Sequence, residues 1–225
     1  MSEVKMSEGA SDPKGMPHLL SKSTAKKEDS SNEGSVPGKR SIIMVRHGST
    51  KLNDPDNERI RGWNDVPLDE KGKKEAEAVG ERLKGLVDVI VASDLKRTQE
   101  TAKSISEKTG APIVAFSKAL RPWNVGVFTS QPVKLILNDL YTAAKRSPDE
   151  VIPEGESFNQ FKDRFLKEME QIEKNFPDKR VAVVAHHRNQ VLYDAWKKKG
   201  AKSNLDFDWD TFASKGIDPG DFQIH

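Results

Sequence analysis

The chain has no cysteine, which excludes a disulfide framework, a thiol nucleophile and any cysteine-based metal site together. It also has little net charge. Its 37 basic side chains face 35 acidic ones, and the resulting +2 is too weak a field to draw nucleic acid. No apolar run approaches the length needed to cross a bilayer, so no membrane partner is expected. Aromatic residues are scarce at 7%, yet Phe158, Phe161, Phe165 and Phe176 all fall in one stretch, which marks a single strongly packed helix.

Apolar residues make up 35% of the chain, and the shortage is local. Over residues 1–40 a few of them, among them Val4, Leu19, Leu20 and Val36, are scattered through Ser, Lys, Glu, Gly and Pro with neither helical nor alternating period. Such a segment buries too little surface to offset chain entropy, so residues 1–40 are expected to form a disordered low-complexity tail and residues 41–225 the folded domain. The tail has no apolar core of secretory type. Its acids, including Glu3, Glu8 and Asp12, argue against a mitochondrial presequence, which leaves the cytoplasm as the expected location.

From residue 41 strands and helices alternate. Ile42–Val45, Val87–Ala92, Pro112–Phe116 and Val181–Ala185 read as buried strands. Ala76, Val79, Gly80 and Leu83 mark a helix face, and further helices are expected over 94–108, 131–145, 157–176 and 189–199. A late extended segment over 221–224 completes the pattern. The expected fold is α/β, a three-layer α/β/α sandwich on a mostly parallel sheet. The irregular stretch 117–155 is expected to cover the site.

Three strands end on chemistry. The first stops at Arg46-His47-Gly48, the second at Ser93 ahead of Asp94-Leu95-Lys96-Arg97, and the last at His186-His187-Arg188. In an open parallel sheet ligands bind beyond the carboxyl ends of the strands, so these termini should converge. Fixed cationic donors there suit a phosphoryl dianion. The same cations would hold the His47 imidazole neutral and nucleophilic.

Five motifs occur in order: Arg46-His47-Gly48-Ser49-Thr50 with Asn53; Arg61-Gly62-Trp63-Asn64-Asp65-Val66-Pro67-Leu68 with Gly72; SDLKRTQETA from Ser93 to Ala102; Pro153-Glu154-Gly155-Glu156-Ser157; and the strand ending at His186. From Ser41 onward the chain thus resembles the histidine phosphatase superfamily, the phosphoglycerate mutase-like proteins. The resemblance implies that His47 is the phosphorylated nucleophile and that Arg46, Arg97 and His186 bind the transferring group. It also implies a pocket near Thr50, Asn53, Arg61, Gly62 and His187, with no metal ion or other cofactor. Trp63 and Trp123 either stack on substrate or wall the pocket. His187 is a core, supporting or pocket histidine.

One departure matters. Many relatives place Glu where Pro122 stands in Leu120–Gly126, and that Glu protonates the leaving oxygen. Proline cannot do so, and Asn124 does not titrate. The donor must then lie elsewhere, with Glu156 the first candidate and His187 the second, or leaving groups must depart unaided. Glu156 can equally be an acid that favours the start of the next helix. The expected function is a metal-independent phosphatase acting on a small phosphorylated substrate through phosphohistidine. The alternatives are a phosphoglycerate-type mutase and a weakly active phosphate-binding protein with an attachment tail. The sequence leaves the oligomeric state open.

Overall fold

The computed structural model describes residues 40–54, 56–199 and 208–225. The tail expected over residues 1–40 lies outside the described residues, apart from Arg40, whose guanidinium pairs with Glu173 at 2.9 Å.

Five strands form one sheet: β1 (Ser41–Arg46), β2 (Val89–Ser93), β3 (Ile113–Ser117), β4 (Arg180–Ala185) and β5 (Phe222–Ile224), in the order β3-β2-β4-β1-β5. The first four run parallel, and β5 pairs antiparallel with β1 at the edge. β4 is inserted between β1 and β2, and Arg46 stands opposite Ala185. The residues that follow, His47 and His186, therefore leave the sheet side by side.

The strands are apolar on both faces because both faces are covered. Ile42, Met44, Val89, Val91, Val181 and Val183 enter one core, while Ile43, Val45, Ile90, Ala92, Ala182 and Val184 enter the other. Successive strand side chains point to opposite faces, so an unbroken apolar run feeds two cores at once.

On the second face lie α1 (Glu70–Arg82) and α2 (Lys96–Thr109), which contribute Val79, Ala102 and Ile105. On the first lie α3 (Val133–Arg146), α4 (Phe158–Asn175), α5 (His187–Lys199) and the short α6 (Trp209–Ala213). In α4, Phe158, Phe161, Phe165, Met169 and Ile172 form the buried stripe. Ser157 caps it, its hydroxyl accepting from the Gln160 N–H while the Gln160 side chain accepts from the Ser157 N–H.

Several boundaries differ from the expectation. β2 begins at Val89 because Asp88 binds the Arg180 backbone and guanidinium. α5 starts at His187, two residues early, and α6 carries no sequence period long enough to announce it. Among the described residues no helix is long and apolar enough to cross a membrane.

Candidate active site

The strand ends converge as the spacing requires. His47 and His186 stand edge to face with ring centroids 5.2 Å apart, and both are buried. A cavity of about 180 Å³ opens between them, with Arg97, Arg61, Gly62 and His187 in its wall. Six of the ten predicted site residues thus share one cavity: His47, Arg61, Gly62, Arg97, His186 and His187.

Hydrogen bonding sets the tautomer of His47. Its Nδ1 lies 2.7 Å from the Gly48 carbonyl, which can only accept, so Nδ1 carries the hydrogen and Nε2 keeps its lone pair. Burial first, then the positive charges of Arg97, Arg61 and Arg46, push the pKa well below the ordinary histidine value. The imidazole is neutral at pH 7.

The loop after His47 is tightly seated. A Cβ on Gly72 would lie 2.7 Å from the Ser49 nitrogen and closer still to its carbonyl oxygen, so both motif glycines allow backbone-on-backbone contact. Glu75 then accepts from the Ser49 N–H at 2.6 Å.

Arg97 is 1% exposed. Nη1 donates to the Asn64 carbonyl at 2.7 Å and Nη2 to the Gly62 carbonyl at 3.2 Å, so the Gly-Trp-Asn turn aims the guanidinium. Burial and then Arg61 lower its pKa to about 9, which leaves it cationic at neutral pH. His186 Nε2 meets Ser93 Oγ at 3.1 Å, and its pKa is also driven well below normal, by burial first and then by Arg97. Its Nδ1 is buried without a partner, as is Arg97 Nε.

The other four predicted residues are not in the cavity wall. Arg46 sits behind His47, with Nη1 donating to the Ile217 carbonyl at 2.8 Å, and burial lowers its pKa to about 10. Thr50 and Asn53 close a capping box on the 3₁₀ turn Lys51–Asn53, in which Asn53 Oδ1 accepts from the Thr50 N–H and hydroxyl. Their polar atoms hold the loop.

Glu156 is also placed elsewhere, against its expected role as proton donor. Arg164 grips its carboxylate through Nη2 at 2.6 Å and Nε at 3.2 Å, and the Asn124 N–H donates to it at 2.9 Å. It is a clamp on the Pro122 segment. Arg164 also donates to the Ala119, Arg121 and Pro122 carbonyls. Gly155 fits against the Asn124 carbonyl, which accounts for the glycine of that motif.

His187 is in the wall but is a poor acid. Its Nε2 accepts the Gly216 N–H at 2.9 Å, and burial followed by Arg188 lowers its pKa to about 2. Trp63 is turned away, donating to the Pro122 carbonyl beneath the Arg121 guanidinium, whereas Trp123 is wall, packed on Phe158 and Phe161.

Sequence reasoning missed Glu58, Tyr141 and Arg188, all in the same wall. Arg188 follows the second histidine and was open to recognition, but Glu58 and Tyr141 lie in segments without motif. Among the described residues no three His, Cys, Asp or Glu side chains group as metal ligands.

The chain is also similar to known proteins. The histidine phosphatase superfamily (branch 1) matches residues 42–219. An uncharacterized phosphatase, PhoE, from Bacillus subtilis is 31% identical over 64% of this chain and 70% of its own length. A probable phosphoglycerate mutase, GpmB, from Escherichia coli is 35% identical over 55% of this chain, but that stretch spans only 58% of GpmB. A mycobacterial glucosyl-3-phosphoglycerate phosphatase superposes with a TM-score of 0.63 at 26% identity, covering 82% of this chain and 89% of the other. The alpha-ribazole phosphatase of Shigella flexneri, at 19% identity, has the same fold with a TM-score of 0.64 over 82% of this chain and 89% of its own.

Proposed function

Since the chain belongs to the histidine phosphatase superfamily, we propose that it hydrolyses a small phosphomonoester through a phosphohistidine on His47, without a metal ion. The observation that carries the reading is the state of His47. It is a neutral imidazole with its Nδ1 hydrogen held by the Gly48 carbonyl and a free Nε2 lone pair, beside a buried arginine in a cavity.

His47 Nε2 attacks phosphorus, the P–N bond forms and the P–O bond to the alcohol breaks. Arg97, Arg61 and His186 take up the charge on the equatorial oxygens, a contribution of about 3 kcal/mol for a single well-placed donor. Water then attacks phosphorus, the P–N bond breaks and the imidazole is restored. Arg46 acts through the field it exerts on His47, while Thr50, Asn53 and Glu156 hold the loops around the site. The size of the cavity suits a phosphoryl group with a small alcohol, and the partner is that substrate.

The test is phosphate release from an aryl phosphate in the presence of chelator. Turnover indifferent to chelator, lost in His47→Ala and accompanied by acid-labile label on His47, supports the reading. Full activity in His47→Ala refutes it. Transfer of label to a phosphoglycerate without release of phosphate makes the protein a mutase instead.

A further inference from the structure

We propose that Glu58 is the acid and base of this reaction, occupying the role that Pro122 cannot fill. The inference rests on the phosphatase reading above and on the composition of the cavity wall, in which Glu58 is the one carboxylate among the described residues.

Elimination narrows the choice. His187 already accepts a backbone hydrogen through Nε2 and stays neutral far below pH 7. Burial pushes the Tyr141 hydroxyl up to about 12, too weak an acid for rapid transfer at neutral pH. His47 and His186 are neutral, and the arginines serve as fixed cations. Glu156, the sequence-based candidate, is locked to Arg164 and is not in the wall.

Glu58 is both placed and free. Its backbone is tied to the start of α3, with its carbonyl accepting from the Val133 N–H at 3.0 Å, Arg59 bridging to Pro132, and the Ile60 N–H donating to the Gln131 carbonyl at 3.0 Å. Its carboxyl group makes no hydrogen bond or ion pair to the described residues. Its charge is felt by Arg46, Arg61 and Arg188, which places it over the cationic part of the site. Pro122 lines the same cavity, so the two positions serve one space.

The proton balance closes over one turnover. As His47 Nε2 bonds to phosphorus, the P–O bond breaks and the Glu58 carboxyl hydrogen passes to the departing oxygen, leaving a carboxylate. That carboxylate removes a proton from the attacking water as the new P–O bond forms and the P–N bond breaks. The carboxyl group is then ready for the next ester.

The test is Glu58→Gln, an isosteric change on a partly exposed loop, assayed by pre-steady-state kinetics on an alkyl and an aryl phosphate. General acid catalysis typically contributes about 10²–10⁴-fold, so alkyl turnover should fall by that factor. The aryl ester, whose phenolate leaves unaided, should still phosphorylate His47 and give a burst of one phenolate per site. Slow release should follow, because the base for the water step is gone. Equal losses on both esters without a burst, or no loss on either, would overturn the proposal and leave Glu58 a binding residue or a bystander. A wild-type protein that neither releases phosphate nor takes label on His47 would overturn the phosphatase reading as well, so the two failures are distinguishable.

Discussion

Acid should unfold this protein through its histidines before its carboxylates titrate. His47, His186 and His187 are held neutral, with folded pKa values well below normal in the first two and about 2 in the third, burial being the main cause in each. In the unfolded chain each returns to about 6.5, so the unfolded state binds more protons and stability falls as the pH drops through that value. The contribution is intact above about pH 7. Below 6.5 His187, with its folded value of about 2, costs about 1.4 kcal/mol per pH unit, or ~2 kcal/mol between pH 7 and pH 5. His47 and His186 add losses of the same sign over this range, and the ~2 kcal/mol from His187 alone is already a sizeable share of the roughly 5–15 kcal/mol typical of a domain. Asp88 and Glu173, whose pKa values are lowered, add their own loss only as the pH falls below about 4.5, outside this window. Urea unfolding at pH 7, 6 and 5 measures the effect, and His187→Gln should remove ~2 kcal/mol of the loss between pH 7 and pH 5. Stability that stays flat from pH 7 to pH 5, or a slope unchanged in His187→Gln, would refute the assignment of buried neutral histidines.

Other perturbations separate scaffold from chemistry. Arg164→Met removes six hydrogen bonds at once, two to the Glu156 carboxylate and four to backbone carbonyls, and should lower stability by about 2–3 kcal/mol in chemical denaturation while raising KM more than it lowers kcat. Gly72→Ala drives a methyl into the Ser49 backbone and should cost about 3 kcal/mol, read as a lowered Tm. Arg97→Gln should weaken vanadate binding and slow aryl phosphate turnover at least a hundredfold, with the Tm little changed by comparison. Deleting residues 1–40 should leave phosphate release per mole of folded protein unchanged, and loss of turnover in a folded protein would contradict the division at residue 41.

Much of the fold was legible because its signals are local. The apolar runs at 42–45, 89–91 and 181–184 announce strands covered on both faces, and the Phe stripe of α4 announces one buried helix side. The motif at Arg46-His47-Gly48 and the two strand-end partners were legible too, because parallel strands deliver their carboxyl ends to one edge whatever their order. The insertion of β4 between β1 and β2 was not written in any segment; it decides that His47 and His186 are neighbours.

The roles of the acids lay beyond the sequence for a similar reason. Glu156 stands in a motif beside the site, yet its carboxylate is claimed by Arg164, eight residues along α4, and by the Asn124 backbone. Glu58 stands in no motif, yet pairing of its segment with the start of α3 brings it to the cavity wall. By itself the sequence determined the strands, the longer helices and the histidines and arginines that stand at the strand ends, since these depend on period and composition. Only the tertiary structure decided which carboxylate is bound and which is free, because that depends on partners distant along the chain and on the space left between them.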